Sequence, residues 1–160
     1  MLKKNFYCIL SLLMLFSSTT WSQTTITTTH EAITIDGVLD ETAWQDATRI
    51  ELEYEIEPLV NQAAQVKTTA MLLDTGQSLV IAFDAKDPNP EKISAFLHDR
   101  DAAYQDDQVG VLLDTYNDER RALGFFVNPL GVQIDFIRSS NGEDDSWDAI
   151  WDSAGKITDF

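Results

Sequence analysis

Cysteine is almost absent from this chain. Cys8 is the only one in 160 residues, and it sits inside the apolar stretch Phe6–Phe16, so no disulfide framework can exist. Histidine is nearly as scarce: His30 and His98 stand alone, without a partner at zinc-binding spacing. Basic residues are few, 11 Lys and Arg against 27 Asp and Glu, for a formal charge of -16. A chain so poor in cations cannot displace counterions from nucleic acid or adhere to an anionic membrane surface. Catalytic signatures are missing too, with no Gly-x-Ser-x-Gly, no phosphate-cradling glycine loop and no catalytic cysteine. Carboxylate pairs that could suggest glycoside hydrolysis are expected by number alone in so acidic a chain. No enzymatic activity is therefore expected, and the partners left are neutral molecules, cations and other proteins.

What is present begins with export. Lys3 and Lys4 precede Phe6–Phe16, and the small polar stretch Ser17–Gln23 follows. This is the charged, apolar and cleavage pattern of a secretory signal, predicted to span residues 1–22 with cleavage after Ser22. The apolar run is too short to cross a bilayer, which takes about 20 residues. Removal of residues 1–22 takes away Lys3 and Lys4 but no acid, leaving a charge of -18. The expected destination is the periplasm or the outer membrane. Without cysteine, the exported domain must be held by burial or by bound ions, and 44% hydrophobic residues with 8 Phe, 4 Trp and 4 Tyr suffice for a core.

The remainder reads as short strands. Ala32–Ile35 is followed by the Asp36-Gly37 turn pair, after which Asp40 is expected to cap a brief helix, Glu41–Ala47, that turns Trp44 inward. In residues 51–57, Leu52, Tyr54 and Ile56 alternate with four glutamates, the pattern of a strand with one wet face. Val66–Leu73 and Leu79–Asp84 flank Asp74-Thr75-Gly76-Gln77 as a hairpin. Val109–Asp114, Ala122–Asn128 and Val132–Arg138 follow, the last with Val132, Ile134 and Phe136 on one face. Many short strands separated by turns predict an all-β fold, an antiparallel, jelly-roll-like β-sandwich with one short N-terminal helix. Lys156–Phe160 reads as the opening of a further strand, so the domain, residues 30–160, is expected to be a fragment cut at its C-terminal end.

The order of motifs carries a resemblance. Ile35–Trp44, then Leu79–Phe83 before Asp87-Pro88, Asp106–Val109 leading to Leu113-Asp114, Phe126–Gly131, and finally Trp147 and Trp151 resemble family 9 carbohydrate-binding modules over residues 30–160. Arg100-Asp101, Asp114–Arg120 and Trp147–Trp151 further resemble the front domain of large bacterial outer-membrane-associated proteins, in which a β-barrel portion follows. The resemblance implies a β-sandwich, bound calcium, a periplasmic or cell-surface role in carbohydrate catabolism, and membrane contact only through a missing C-terminal region. In sugar-binding members two tryptophans sandwich the saccharide beside a carboxylate and an arginine. On that pattern Tyr104 takes the first tryptophan's place, while Gly110 and Phe126 stand where the carboxylate and arginine would be.

The candidate carbohydrate-binding residues are accordingly Tyr104, Trp147 and Trp151, while Trp44 is expected in the core. The candidate calcium ligands are Asp99, Asp101, Asp106 and Asp107, clustered in one loop, since calcium takes six to eight oxygen ligands; Asp144 and Asp145 form a second acidic loop. Two functions remain open. One is a non-catalytic module that binds a saccharide, and the other is a structural or assembly front domain of an outer-membrane protein that has lost its sugar contacts.

Overall fold

A computed structural model describes residues 24–55 and 61–158. The signal expected over 1–22, the end of the alternating segment at 56 and 57, and Asp159 and Phe160 lie outside the described residues. The fold is all-β and sandwich-like, with 40% of the described residues in two sheets and 5% in helix.

The first sheet is built around β3 (Gln62–Asp74), flanked by antiparallel β2 (Thr48–Glu55) and β4 (Leu79–Lys86). Strand β1 (Thr27–Thr28) runs parallel to β3 at Leu73 and Asp74. Because β4 already pairs with those two residues from the other side, β1 continues the lane that β2 leaves at Leu72. The β3–β4 hairpin closes through its own polar side chains: Gly76 N–H donates to Asp74 Oδ1 at 2.7 Å, Ser78 N–H donates to Thr75 Oγ1 at 3.0 Å, and Gly76 adopts φ +78°.

The second sheet is an antiparallel meander of β5 (Val109–Leu113), β6 (Arg121–Val127), β7 (Gln133–Ser139) and β8 (Gly142–Asp144). Asn128, fully enclosed after β6, makes the β6–β7 turn. Its amide oxygen accepts from Leu130 and Val132 N–H, and its Nδ2 donates to the Phe96 carbonyl and to Asp106 Oδ2. One side chain thereby fixes a turn and anchors the 94–107 loop.

Each sheet carries its own apolar cluster. Trp44, Ala47, Met71 and Leu73 form one, and Ala103, Ile134 and Phe136 the other. Val132, Ile134 and Phe136 share the second cluster, as their alternation predicts. The Phe126 and Phe136 rings stack with centroids 5.5 Å apart, and each lies over the glycine it faces across the ladder, Gly110 and Gly124. Burying side chains such as Ile134 and Leu73 contributes about 1.5–3 kcal/mol each.

Four local expectations are corrected. Residues 32–35 form no strand; Thr34 N–H instead donates to Glu41 Oε1 at 2.7 Å, a side chain supplying what a ladder would have. The helix is a 3-10 turn, Thr42–Gln45, and Glu41 rather than Asp40 precedes it, with no side-chain cap of its own. The upstream carboxylate of Glu31 accepts from Thr42 and Ala43 N–H, which removes the need for Asp40. Trp44 is buried as expected, its indole N–H on Glu41 Oε2. Both faces of β2 are wet: Ile50 is 44%, Leu52 42% and Tyr54 68% exposed, and between the last two β3 bulges, setting residues 64–67 opposite Glu53 alone. Residues 156–158 form no strand.

A methyl group on Gly110 would meet the Phe125 carbonyl at 2.6 Å as well as the Phe126 ring. Gly110→Ala is expected to lower unfolding free energy by about 1–3 kcal/mol in urea denaturation. An unchanged midpoint would show that the rings do not rest on the glycines.

Candidate functional site

On β7, Ile134 and Phe136 turn to the core, so Asp135 between them projects from the opposite face. It is nevertheless fully buried, because two segments close over it. The 147–151 segment lies across Phe125, Asp135's neighbour on β6, with Trp147 and Trp151 edge-on to that ring at 5.9 and 5.5 Å. Loop residues 99–103 cover the β7 edge that β8, which pairs only with Ile137–Ser139, leaves open. There Asp101 N–H donates to the Gln133 carbonyl at 2.9 Å, and Asp135 N–H donates to Asp101 Oδ1 at 2.9 Å. Asp101 achieves this with φ +60°, the left-handed region that aspartate and asparagine tolerate.

A buried carboxylate needs partners, and Asp135 has four donors. Arg100 approaches with Nε at 3.2 Å and Nη2 at 2.5 Å, Ala149 N–H donates at 2.7 Å, and the Trp151 indole N–H at 3.3 Å. Arg100 also donates to Gln133 Oε1 and to the Ala149 carbonyl, and Gln133 Nε2 donates to the Trp151 carbonyl. The guanidinium and two β7 side chains thus bind together a strand, a loop and the tryptophan segment.

Asp101, Asp135 and Asp148 each place a carboxylate oxygen within 4.8 Å of the others, an acidic triad that could hold a metal ion. A cation is already among them: Arg100 Nε lies 3.2 Å from Asp135, 3.4 Å from Asp148 and 3.5 Å from Asp101. The guanidinium offsets one of three negative charges. Asp101 responds accordingly, its carboxyl pushed above the ordinary range chiefly by burial and also by the Asp135 carboxylate, against the Asp135 N–H and Arg100, which favour the charge.

Of the four aspartates expected at a cation, Asp101 alone stands in this close group among the described residues. Asp99 is exposed. Asp106 and Asp107 latch the neighbouring loop instead: Asp106 accepts from Phe96 N–H, Asn128 and His98, and Asp107 from Ser94 N–H. The Phe96 N–H above all, helped by Asn128 and His98, holds Asp106 below the usual carboxylate range. Of the aromatic candidates, Tyr104 is 41% exposed while Trp147 and Trp151 are half-buried against Phe125. The Tyr104 hydroxyl is pushed up, first by burial and then by the charges of Asp145, Asp101, Glu143 and Asp135. Gly110 and Phe126 face each other in the ladder, where Phe126 stacks on Phe136, so packing fills the two positions at which the resemblance implied polar contacts.

Arg100, Gln133, Asp135 and Asp148 were not among the candidate ligands. The usable signal for Asp135 was an acid flanked by Ile134 and Phe136, an expensive position unless the charge is paired.

No family model, no curated protein and no solved structure matches the chain. The resemblance to family 9 modules rests on the motifs in the sequence.

A raised folded-state value means that the folded chain binds this proton more tightly than the unfolded one. The stabilisation is complete below the ordinary value of 3.8 and is lost as pH rises through the raised folded value, so ionised Asp101 is a cost at neutral pH. Asp101→Asn keeps an oxygen for Asp135 N–H and tolerates the positive φ. The variant is expected to match or exceed the parent's stability at pH 7 and to lose that advantage towards pH 3. A large loss at pH 7 would mean that the negative charge itself is required.

Proposed function

We propose that this chain is an exported, non-catalytic binding domain that offers the loop face of its second sheet to a saccharide. The observation that carries this reading is the gathering of Trp147, Trp151, Asp101 and Asp148 about the buried Asp135 on β7, with the exposed Tyr104 on the same loop as Asp101. A half-exposed ring supplies a platform for the C–H face of a pyranose, and the exposed Asp148 carboxylate, 71% accessible, supplies an acceptor for hydroxyls. The surface is a loop rim suited to holding part of a polymer. The expected setting is the periplasm or the outer membrane, in carbohydrate catabolism.

Calcium belongs to the same reading, at Asp101, Asp135 and Asp148 rather than Asp99, Asp106 and Asp107. Those oxygens are the hard donors calcium prefers, and the ion would take the charge-balancing place that Arg100 now holds.

One observation favours the second reading, an assembly domain without sugar affinity. Arg100 and Gln133, the polar side chains best placed to grip a sugar, spend their hydrogen bonds on Asp135, Ala149 and Trp151.

Affinity electrophoresis through glucose-, cellobiose- and xylan-bearing gels, with and without calcium, separates the two. Retardation in at least one gel, greater with calcium and weakened about tenfold in Tyr104→Ala by loss of a stack of about 1–1.5 kcal/mol, is expected. Free migration in every gel would leave the assembly reading. Retention indifferent to Tyr104 would remove this face as the site.

A further inference from the structure

Strand β2 is the outermost strand of its sheet, paired only with β3 among the described residues, so its far edge presents a row of backbone donors and acceptors. Exposed edges are commonly blunted by proline or by brevity, and β2 has neither. It runs for eight residues, Thr48–Glu55. Its side chains are patterned. Ile50 (44%), Leu52 (42%) and Tyr54 (68%) are exposed along one face, and the exposed carboxylates of Glu51 and Glu53 lie on the other. Beside them the β3 bulge opens a hollow lined by Glu51, Leu52, Glu53, Ala64, Lys67 and Thr68.

We propose that the β2 edge is a docking site for an extended peptide segment in which basic residues alternate with apolar ones. Strand addition pairs the free backbone groups of β2, and side-chain alternation provides the specificity. Residues opposite one another in an antiparallel pair stand about 4.5–5.5 Å apart, so a lysine or arginine on the incoming strand faces Glu51 or Glu53 while its neighbours cover Ile50, Leu52 and Tyr54. Lys67 of β3 lies across the hollow, on the side away from the free edge. Charge selects the partner. A second copy would set Glu51 against Glu53 if paired antiparallel about Leu52 but Arg49 against Glu53 if paired about Glu51, and slowed β2 exchange in the protein alone distinguishes it. An acidic partner would meet the same two carboxylates and a chain of net charge -16, whereas a basic strand gains from both. This surface belongs to the other sheet and does not depend on saccharide binding.

The test uses the full chain with two capped octapeptides, one of alternating Lys and Val and one of alternating Glu and Val. Affinity is read by fluorescence anisotropy and location by hydrogen exchange. The basic peptide is expected to bind at least about tenfold more tightly, to weaken with added salt, and to slow amide exchange within Thr48–Glu55. Glu51→Lys with Glu53→Lys should reverse the preference. Glu53→Lys alone gives the same direction if loss of the Glu51–Thr69 hydrogen bond disturbs folding of the double variant. Equal affinity for both peptides, protection confined to another strand, or β2 amides already slowed by self-association would each overturn the proposal.

Discussion

A carboxylate with no exposed surface, Asp135, governs how the second sheet is finished. Ionised carboxylates are rarely enclosed because leaving water costs several kcal/mol unless donors replace it. Here the replacement comes from Arg100, the Ala149 amide and the Trp151 indole. None of the three is adjacent to β7 in sequence, so satisfying one charge draws two distant segments onto the same face. Trp147 and Trp151 reach Phe125 through that arrangement, and Asp101 completes the open β7 edge through it.

The arrangement sets a competition between structure and recognition. Polar groups committed to Asp135 cannot also bind a ligand, which leaves the outward members, Tyr104 and Asp148, for the saccharide contact proposed above. Arg100 occupies the centre of the acidic triad as its internal cation, so any divalent ion placed there would contend with the guanidinium. The second anchor, Asn128 with Asp106, holds the 94–107 loop, which carries Arg100, Asp101 and Tyr104, through neutral and charged hydrogen bonds.

Strands β5, β6 and β7 were legible because Val132, Ile134 and Phe136 alternate cleanly and turn residues separate β6 from β7, whereas β8 was not, since its Asp144 reads as part of an acidic loop and its exposed residues carry no apolar alternation. The β3–β4 hairpin was legible through Asp74 and Gly76. Residues 32–35 looked like a strand by composition but satisfy Thr34 through Glu41, a tertiary contact that propensity does not encode. The alternation in β2 gave the strand correctly and its burial wrongly, since alternation marks a face but not whether another element covers it. In the site, Tyr104, Trp147 and Asp101 stood out as residue types. The roles of Arg100 and Asp135 did not, because their meaning arises from contact across 35 positions of chain.

A double-mutant cycle on Arg100→Met and Asp135→Leu, followed by urea denaturation, measures the central interaction. Each single change leaves one charge or one set of donors unsatisfied and is expected to cost roughly 2–3 kcal/mol, less than in a fully enclosed pair because 33% of the Arg100 side chain remains in water. The double variant is expected to cost little more than either single one, a coupling of roughly 2 kcal/mol. Strictly additive losses would contradict the claim that this pair holds the loop face together.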